Sequence, residues 1–166
     1  PMTQIWIVRH GEAAASWEKD PDPGLSQLGQ SQAEETANAL MDIVPMGAQL
    51  ISSPLRRAQE TAAAFANKRG DSVRVDSRFS EVRSPVPLSG RKAWLQEFMR
   101  RDWSKQSDDL WEWRRDILSG LKEATGPTVV FCHFLVINAV IAEIENKPEV
   151  LPVSYTHLTL PTMYTV

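Results

Sequence analysis

Cysteine is nearly absent from this 166-residue chain, which contains only Cys132. A single cysteine excludes an internal disulfide framework and a cysteine-rich zinc site, and it suits a reducing cytoplasm. No apolar run approaches the ~20 residues that span a bilayer, and no basic segment followed by an apolar stretch marks a secretory leader. We therefore expect a cytoplasmic protein with no membrane association.

A surplus of positive charge is also missing. The chain has 18 Lys and Arg residues against 21 Asp and Glu residues, a formal net charge of −3. Proteins that bind nucleic acid through its phosphates need a basic surplus or a basic stripe, so we expect no nucleic-acid partner. No internal repeat or low-complexity linker divides the chain, and one domain usually holds ~100–200 residues. We assign residues 1–150 to a single domain.

The last segment, residues 151–166, differs from the rest in being short of charge and containing two prolines. Within it, residues 154–162 read SYTHLTLPT, which resembles a translated sequencing-adaptor read-through found at the ends of metagenomic chains. We expect this tail to be non-native and dispensable for an active site. A natural, strand-like C-terminus is the alternative.

Short apolar segments rich in strand-forming residues alternate with helical patterns along the chain. Strands are predicted at 5–8, 49–52, 73–76 and 128–132, and helices at 27–42, 55–68, 91–101, 109–124 and 136–145. Alternation of this kind predicts an α/β fold, a three-layer αβα sandwich whose mostly parallel central sheet carries helices on both faces.

Tryptophans cluster in and around the two middle helices, at Trp94, Trp103, Trp111 and Trp113. Trp94 and Trp113 fall on the apolar stripes of their helices, which is typical of core packing. A cap over a substrate crevice is the alternative interpretation.

Two predicted strands end directly in a histidine. Arg9 and His10 follow the strand at 5–8, and His133 follows the strand at 128–132. Ligands of open α/β sheets bind outside the carboxyl ends of the strands. If these two strands are neighbours, both imidazoles face one crevice.

A third strand end carries an anion-binding pattern. Ser53 and Pro54 follow the strand at 49–52 and are typical of a helix start. The first turn of a helix offers unpaired N–H groups and the positive end of its dipole to an anion. Arg57 lies in that turn and is expected to face the anion, whereas Arg56 is expected to be solvated.

Four sequence blocks together resemble the histidine phosphatase superfamily, the phosphoglycerate-mutase-like group (branch 1). They appear in the family's order and lie within residues 5 to about 146. The blocks are Arg9-His10-Gly11-Glu12, LSQLGQSQA at 25–33, SPLRRAQETA at 53–62 and VVFCH at 129–133. The resemblance implies the phosphoglycerate-mutase-like form of the predicted sandwich.

The resemblance also implies roles for individual residues. His10 is the expected nucleophile, which becomes phosphohistidine, and Glu81 is the expected general acid. Arg9, Arg57 and His133 are expected to complete the phosphate pocket. Two guanidiniums and an imidazole can stabilise the charge of a transferring phosphoryl group, and no cluster of His, Cys, Asp and Glu has metal-ligand spacing. We therefore expect neither a metal nor a cofactor.

Two positions depart from the family pattern. Many members have asparagine four residues after the motif glutamate, where this chain has Ser16. Its hydroxyl can still donate one hydrogen bond, so Ser16 is predicted to bind the substrate phosphate. Many members have glycine after the second histidine, where this chain has Phe134. We expect a bulkier and more apolar pocket wall there.

These observations favour a metal-independent phosphatase that hydrolyses a phosphomonoester through phosphohistidine. The substrate is expected to be a small phosphorylated metabolite or a phosphoprotein. A phosphoglycerate-type mutase is the first alternative, although mutases of the family tend to be longer between their two halves. A non-catalytic phosphate-binding module is the second. The sequence leaves the oligomeric state open.

Overall fold

The computed structural model describes residues 3–16, 19–152 and 163–166. Its strands are β1 (Ile5–Arg9), β2 (Gln49–Ser52), β3 (Arg74–Val75), β4 (Thr128–Cys132) and β5 (Met163–Thr165). Its α-helices are α1 (Gln27–Ile43), α2 (Arg56–Arg69), α3 (Leu88–Arg100), α4 (Asp108–Lys122) and α5 (Phe134–Ile144). Two 3₁₀ turns, Ser77–Phe79 and Trp103–Lys105, flank α3. Among the described helices, none is both long and apolar enough to cross a membrane.

The strands form one sheet in the order β3-β2-β4-β1-β5. β1 and β2 both pair in parallel with the central β4, and β3 extends the sheet beside β2. The register sets Arg9 opposite Cys132 and Ser52 opposite Phe131. The carboxyl ends of β1, β4 and β2 therefore lie side by side, as the strand-end histidines predicted.

Side chains of β1 alternate between two apolar layers. Ile5 and Ile7 pack with α3, α4 and α5 on one face, whereas Trp6 and Val8 pack with α1 and α2 on the other. A strand covered on both faces is apolar at every position, which explains its continuous apolar run. The predicted three-layer sandwich is confirmed.

Several element boundaries differ from the predictions. β3 is reduced to two residues, because it lies at the sheet edge with β2 as its one neighbour among the described strands. α3 begins at Leu88, three residues before the predicted start, because the helix opens directly after Pro87. The predicted start of α5 at residue 136 is wrong: the helix begins at Phe134. Its first three residues are all buried, so no amphipathic pattern marked the start.

Part of the segment predicted to be a tail belongs to the sheet. β5 pairs antiparallel with β1, with Tyr164 opposite Ile7, and Met163 and Tyr164 pack against the two apolar layers. Residues 153–162, which include the whole adaptor-like string, lie outside the described residues. The non-native origin of the segment stays a prediction.

Most of the tryptophans pack as the first interpretation proposed. Trp94 stacks on Phe98 with ring centroids 5.3 Å apart, and Trp111 contacts Trp103 at 5.2 Å. The Arg114 guanidinium lies 4.9 Å from the rings of both Trp103 and Trp111. These contacts join α3 and α4 in the core layer beside α5.

Gly120 of α4 makes room for Phe79, whose 3₁₀ turn precedes Glu81. A methyl group added at Gly120 would lie 2.7 Å from Cζ of the buried Phe79 ring. Overpacking costs about 1–3 kcal/mol, and the better helix propensity of alanine offsets up to about 1 kcal/mol. We expect Gly120→Ala to lower the free energy of unfolding in urea by about 1–2 kcal/mol. Gly126→Ala is the matched control, because nothing lies within 4 Å of the added methyl group. An equal change in both variants would contradict this packing argument.

Removal of residues 163–166 tests the contribution of β5. The truncation leaves the edge of β1 unpaired and exposes apolar surface, so we expect the melting temperature to fall by several degrees. Catalytic turnover should persist, since β5 pairs with residues 6–8 and ends two residues short of His10. Calorimetry and an activity assay of the purified variant check the two expectations. An unchanged melting temperature would show that β5 adds nothing to the sheet.

Candidate active site

The two predicted histidines meet at the carboxyl ends of β1 and β4. His10 continues the strand pairing, because its backbone N–H donates to the carbonyl of Cys132 over 3.1 Å. The His10 and His133 rings lie with centroids 5.1 Å apart, edge to face. The two imidazoles meet at one end of the sheet, as expected, but His133 is fully buried and only His10 is partly exposed to the crevice.

His10 is held as a neutral imidazole with one nitrogen free of a proton. Nδ1 lies 2.6 Å from the carbonyl oxygen of Gly11, to which it donates, so the lone pair is on Nε2. Arg57 Nε donates to this Nε2 over 3.1 Å. Burial lowers the pKa of His10 to about 4, and the charges of Arg57 and Arg9 add to this against the opposing Gly11 hydrogen bond. His10 Nε2 is therefore available as a nucleophile at neutral pH.

Thr61 ties the first turn of α2 to the loop after β1. Its hydroxyl donates to the carbonyl of Arg57 over 2.7 Å and accepts from the backbone N–H of Gly11 over 3.1 Å. Gly11 also lies against Gly29 of α1. A side chain on Gly11 would clash with the backbone of Gly29, and a side chain on Gly29 would clash with the backbone directly after Gly11. These contacts fix Arg57 and His10 relative to each other.

His133 lies fully buried behind His10. Its Nε2 lies 2.8 Å from the hydroxyl of Ser53, which already accepts the backbone N–H of Leu55 over 3.2 Å. With the hydroxyl as donor to Nε2, the proton of neutral His133 is on Nδ1. Nδ1 has no hydrogen-bond partner among the described residues and lies 4.0 Å from Glu81 Oε2. Burial holds the pKa of His133 well below its usual value, with His10 and Arg57 adding to the effect.

Glu81 presents its carboxyl group to the same crevice. Its Oε1 accepts the backbone N–H of Val82 over 3.1 Å, and about a fifth of the side chain, 21%, is exposed. Burial raises the pKa of Glu81 above its ordinary value, against the Val82 hydrogen bond and the charges of Arg57, Arg91 and Arg9. A raised pKa favours the protonated form that a general acid needs.

Phe134 follows His133 at the start of α5, and its expected role as a pocket wall stays a prediction. Its ring is buried, and the Arg9 guanidinium lies 5.2 Å from the ring centroid. A guanidinium over an aromatic face is attracted by the ring's electrons. Phe134 therefore gives the Arg9 guanidinium a fixed aromatic contact next to His10.

Arg91 is a third arginine near the crevice that the sequence analysis missed. From the first turn of α3, its Nη2 donates to the carbonyl of Val82 over 3.1 Å. Its positive charge opposes the rise in the pKa of Glu81 and adds to the lowering of the pKa of Arg57. No local signal marked it, since it lies outside all four motif blocks and follows an irregular, proline-containing segment.

Three other motif residues lie apart from the cluster. Arg56 is exposed and pairs with Glu60, as expected. Glu12 accepts the hydroxyl of Ser26, the residue that caps α1, over 2.7 Å. Ser16 lies on an exposed turn, where its carbonyl accepts the N–H groups of Lys19 and Asp20. No hydrogen bond joins Ser16 to the cluster in the described part of the chain, and its phosphate-binding role stays a prediction.

The cluster has the groups that phosphoryl transfer requires. It combines a neutral imidazole nucleophile, guanidiniums that can neutralise phosphoryl oxygens and a carboxyl group with a raised pKa. Within residues 3–16, 19–152 and 163–166, no group of three or more His, Cys, Asp or Glu side chains is placed to hold a metal ion.

The curated relatives include a phosphatase and a probable mutase. The glucosyl-3-phosphoglycerate phosphatase of Mycolicibacterium vanbaalenii is 35% identical over 85 residues, which cover 49% of this chain and 37% of the relative. The probable phosphoglycerate mutase GpmB of Escherichia fergusonii is 26% identical over 130 residues, 76% of this chain and 54% of the relative. The chain thus spans about a third to a half of the length of these relatives.

Solved structures share the fold. A mycobacterial glucosyl-3-phosphoglycerate phosphatase in complex with VO3 superposes with a TM-score of 0.70 at 22% identity. YhfR of Bacillus stearothermophilus superposes with a TM-score of 0.78 at 16% identity. Each match covers 99% of this chain and 90% of the other.

A family model matches residues 5–160, a span that contains every residue of the cluster described above. Because the match extends over nearly the whole chain, this protein belongs to the histidine phosphatase superfamily, branch 1.

Proposed function

We propose that this chain is a metal-independent phosphatase that hydrolyses a phosphomonoester through a phosphohistidine on His10. The observation that carries the proposal is the state of His10, a neutral imidazole whose Nε2 lone pair meets Arg57 Nε over 3.1 Å. An anion bound by Arg57 lies next to this nitrogen. The substrate is a small phosphorylated metabolite or a phosphoprotein, and the protein acts in the cytoplasm, as the sequence predicts.

In the first step, His10 Nε2 attacks phosphorus. The P–N bond forms, the bond from phosphorus to the alcohol oxygen breaks, and Glu81 gives its proton to that oxygen. Arg9, Arg57 and the Nδ1–H of His133 stabilise the phosphoryl oxygens while the charge is redistributed. The alcohol then leaves the crevice.

In the second step, water hydrolyses the adduct. Glu81, now a carboxylate, accepts a proton from water as the water oxygen bonds to phosphorus. The P–N bond breaks, its electron pair returns to Nε2, and inorganic phosphate departs. The same carboxyl group thus serves as acid and then as base.

A covalent phosphate on His10 is the sharpest expectation of this mechanism. Rapid acid-free quenching with labelled p-nitrophenyl phosphate, in the presence of a chelator, should leave an alkali-stable, acid-labile adduct that maps to His10. His10→Ala should abolish the adduct and reduce turnover by several orders of magnitude, as loss of a nucleophile generally does. Arg56→Ala is a control outside the cluster and should retain both.

Label on His133 or on a serine, or full activity in His10→Ala, would overturn these roles. Loss of turnover on chelation with recovery on adding magnesium or zinc would overturn the metal-free mechanism. Transfer of the label to a second hydroxyl of a phosphoglycerate, in place of release as inorganic phosphate, would favour the mutase alternative.

The pH dependence of kcat/KM follows from the two shifted pKa values. His10 is neutral above about pH 4, so the acid limb should lie well below the usual histidine value of 6.5. Glu81 must be protonated, so activity toward an alkyl phosphate should fall as the pH rises through its raised pKa. Glu81→Gln should be slow with alkyl phosphates at every pH and should lose this alkaline limb.

With p-nitrophenyl phosphate, the leaving group needs little help, so Glu81→Gln should accumulate phosphoenzyme because hydrolysis of the adduct is slowed. The ionisation of each substrate's own phosphate group is measured separately, and the pH profile of kcat/KM is corrected for it. An acid limb centred near 6.5, or an alkaline limb that survives in Glu81→Gln, would contradict the assignment.

A further inference from the structure

A cavity of about 570 Å³ lies beside Glu81, and His10 is not among its lining residues. Glu81, Val82 and Pro54 line one part of it, and the exposed face of α4 lines another part, termed here the outer wall. Under the proposed function, Glu81 protonates the oxygen of the departing alcohol. The alcohol portion of the substrate must therefore lie beside Glu81, and this cavity is the space there.

The outer wall of the cavity is acidic. Asp109, Glu112 and Asp116 lie three and four residues apart on α4, so they share one face of the helix, and all three line the cavity. No ion pair within 4.0 Å engages any of them among the described residues. None of these three carboxylates is therefore held in an ion pair with a described residue.

The two arginines at the cavity do not cancel this charge. Arg78 is held between Asp76 and Glu123, with N···O distances of 2.7 and 2.6 Å, so its charge is already matched within the protein. Arg83 is a single exposed guanidinium against three carboxylates. The outer part of the cavity is therefore negative on balance.

Trp113 gives the cavity a fixed apolar surface beside these carboxylates. Its Nε1 donates to the carbonyl of Ser80 over 3.1 Å, and its ring stacks on Trp103 with centroids 6.5 Å apart. An indole held in this way offers its remaining surface to C–H groups of a ligand. The sequence analysis left a cap over the substrate as an alternative role for the tryptophans. Trp113 lines this cavity, so the inference assigns that role to Trp113.

We propose that the preferred substrate is the phosphomonoester of a non-anionic alcohol that carries hydrogen-bond donors, such as a polyol or an amino alcohol. The inference rests on the proposed function and names the substrate class of that same site. Phosphate binds where Arg9, Arg57 and Arg91 concentrate positive charge, and the alcohol meets carboxylates that accept O–H or N⁺–H groups. A second anionic group on the alcohol is repelled there, because like charges without a counter-ion disfavour binding.

Matched substrates test this proposal. Glycerol 1-phosphate and 3-phosphoglycerate share a three-carbon skeleton and differ in a hydroxymethyl group against a carboxylate, while phosphoethanolamine carries an ammonium. We expect kcat/KM for glycerol 1-phosphate and for phosphoethanolamine to exceed that for 3-phosphoglycerate by about tenfold or more. A factor of ten corresponds to about 1.4 kcal/mol of discrimination.

A charge-removing variant assigns the discrimination to α4. The variant Asp109→Asn/Glu112→Gln/Asp116→Asn keeps the side-chain shapes and the acceptor oxygens. The kcat/KM for glycerol 1-phosphate should therefore change little. Activity on phosphoethanolamine should fall, and activity on 3-phosphoglycerate should rise several-fold. The matched control is Glu35→Gln/Asp42→Asn/Asp71→Asn, which removes two exposed charges from α1 and one from the segment after α2. This control should leave the relative kcat/KM values of the three substrates unchanged.

Each outcome decides a separate point. Provided that p-nitrophenyl phosphate is hydrolysed, either of two results overturns the substrate class. One is a wild-type preference for 3-phosphoglycerate. The other is a change in the relative kcat/KM values that is equal in both triple variants. If no ester is hydrolysed, p-nitrophenyl phosphate included, the proposed phosphatase function fails and the substrate class fails with it. Should the α4 triple variant unfold, Glu112→Gln alone must shift the ratios in the same direction, and unchanged ratios in that variant overturn the proposal.

Discussion

The hydrogen bond from Arg57 Nε to His10 Nε2 sets the chemistry of this protein. A guanidinium can donate to an imidazole only when the ring nitrogen keeps its lone pair, and the Gly11 carbonyl on the opposite nitrogen selects that tautomer. The bond exists because β1 and β2 both pair with β4, which brings the segment after His10 beside the start of α2. Thr61 then locks the two segments together.

Around that bond, the site divides into halves of opposite charge. The half that binds phosphate in the proposed mechanism contains arginines and two histidines that burial keeps neutral, so its positive charge comes from guanidiniums alone. The other half, beyond Glu81, is bounded by the carboxylates of α4. Glu81 lies at the boundary, where burial raises its pKa while the neighbouring arginines oppose the rise. One carboxyl group can thus be protonated before the alcohol leaves and ionised afterwards.

Packing between α4 and the segment before Glu81 supports this arrangement. The 3₁₀ turn that ends at Phe79 lies against Gly120 of α4, and Trp113 of the same helix holds the carbonyl of Ser80. Both contacts lie directly before Glu81 in the chain. The same helix therefore positions the segment of the proposed general acid and lines the proposed alcohol cavity, so in this mechanism one element would affect both catalysis and substrate choice.

The sequence by itself predicted four of the five described strands and all five described α-helices, and it singled out five residues that the structure brings together. Apolar runs and helical stripes predict the sandwich, and the four motif blocks place Arg9, His10, Arg57 and His133 at strand ends or at a helix start, with Glu81 carried by a weaker match. These features are local, so periodicity and short motifs record them. Only the tertiary structure decided that the charge of Arg91 acts on Glu81, that β5 extends the sheet beside β1 and that the face of α4 lines the cavity beside Glu81. Each of those depends on the distance between segments far apart in the chain, which is set by packing across the whole core and leaves no pattern in either segment alone.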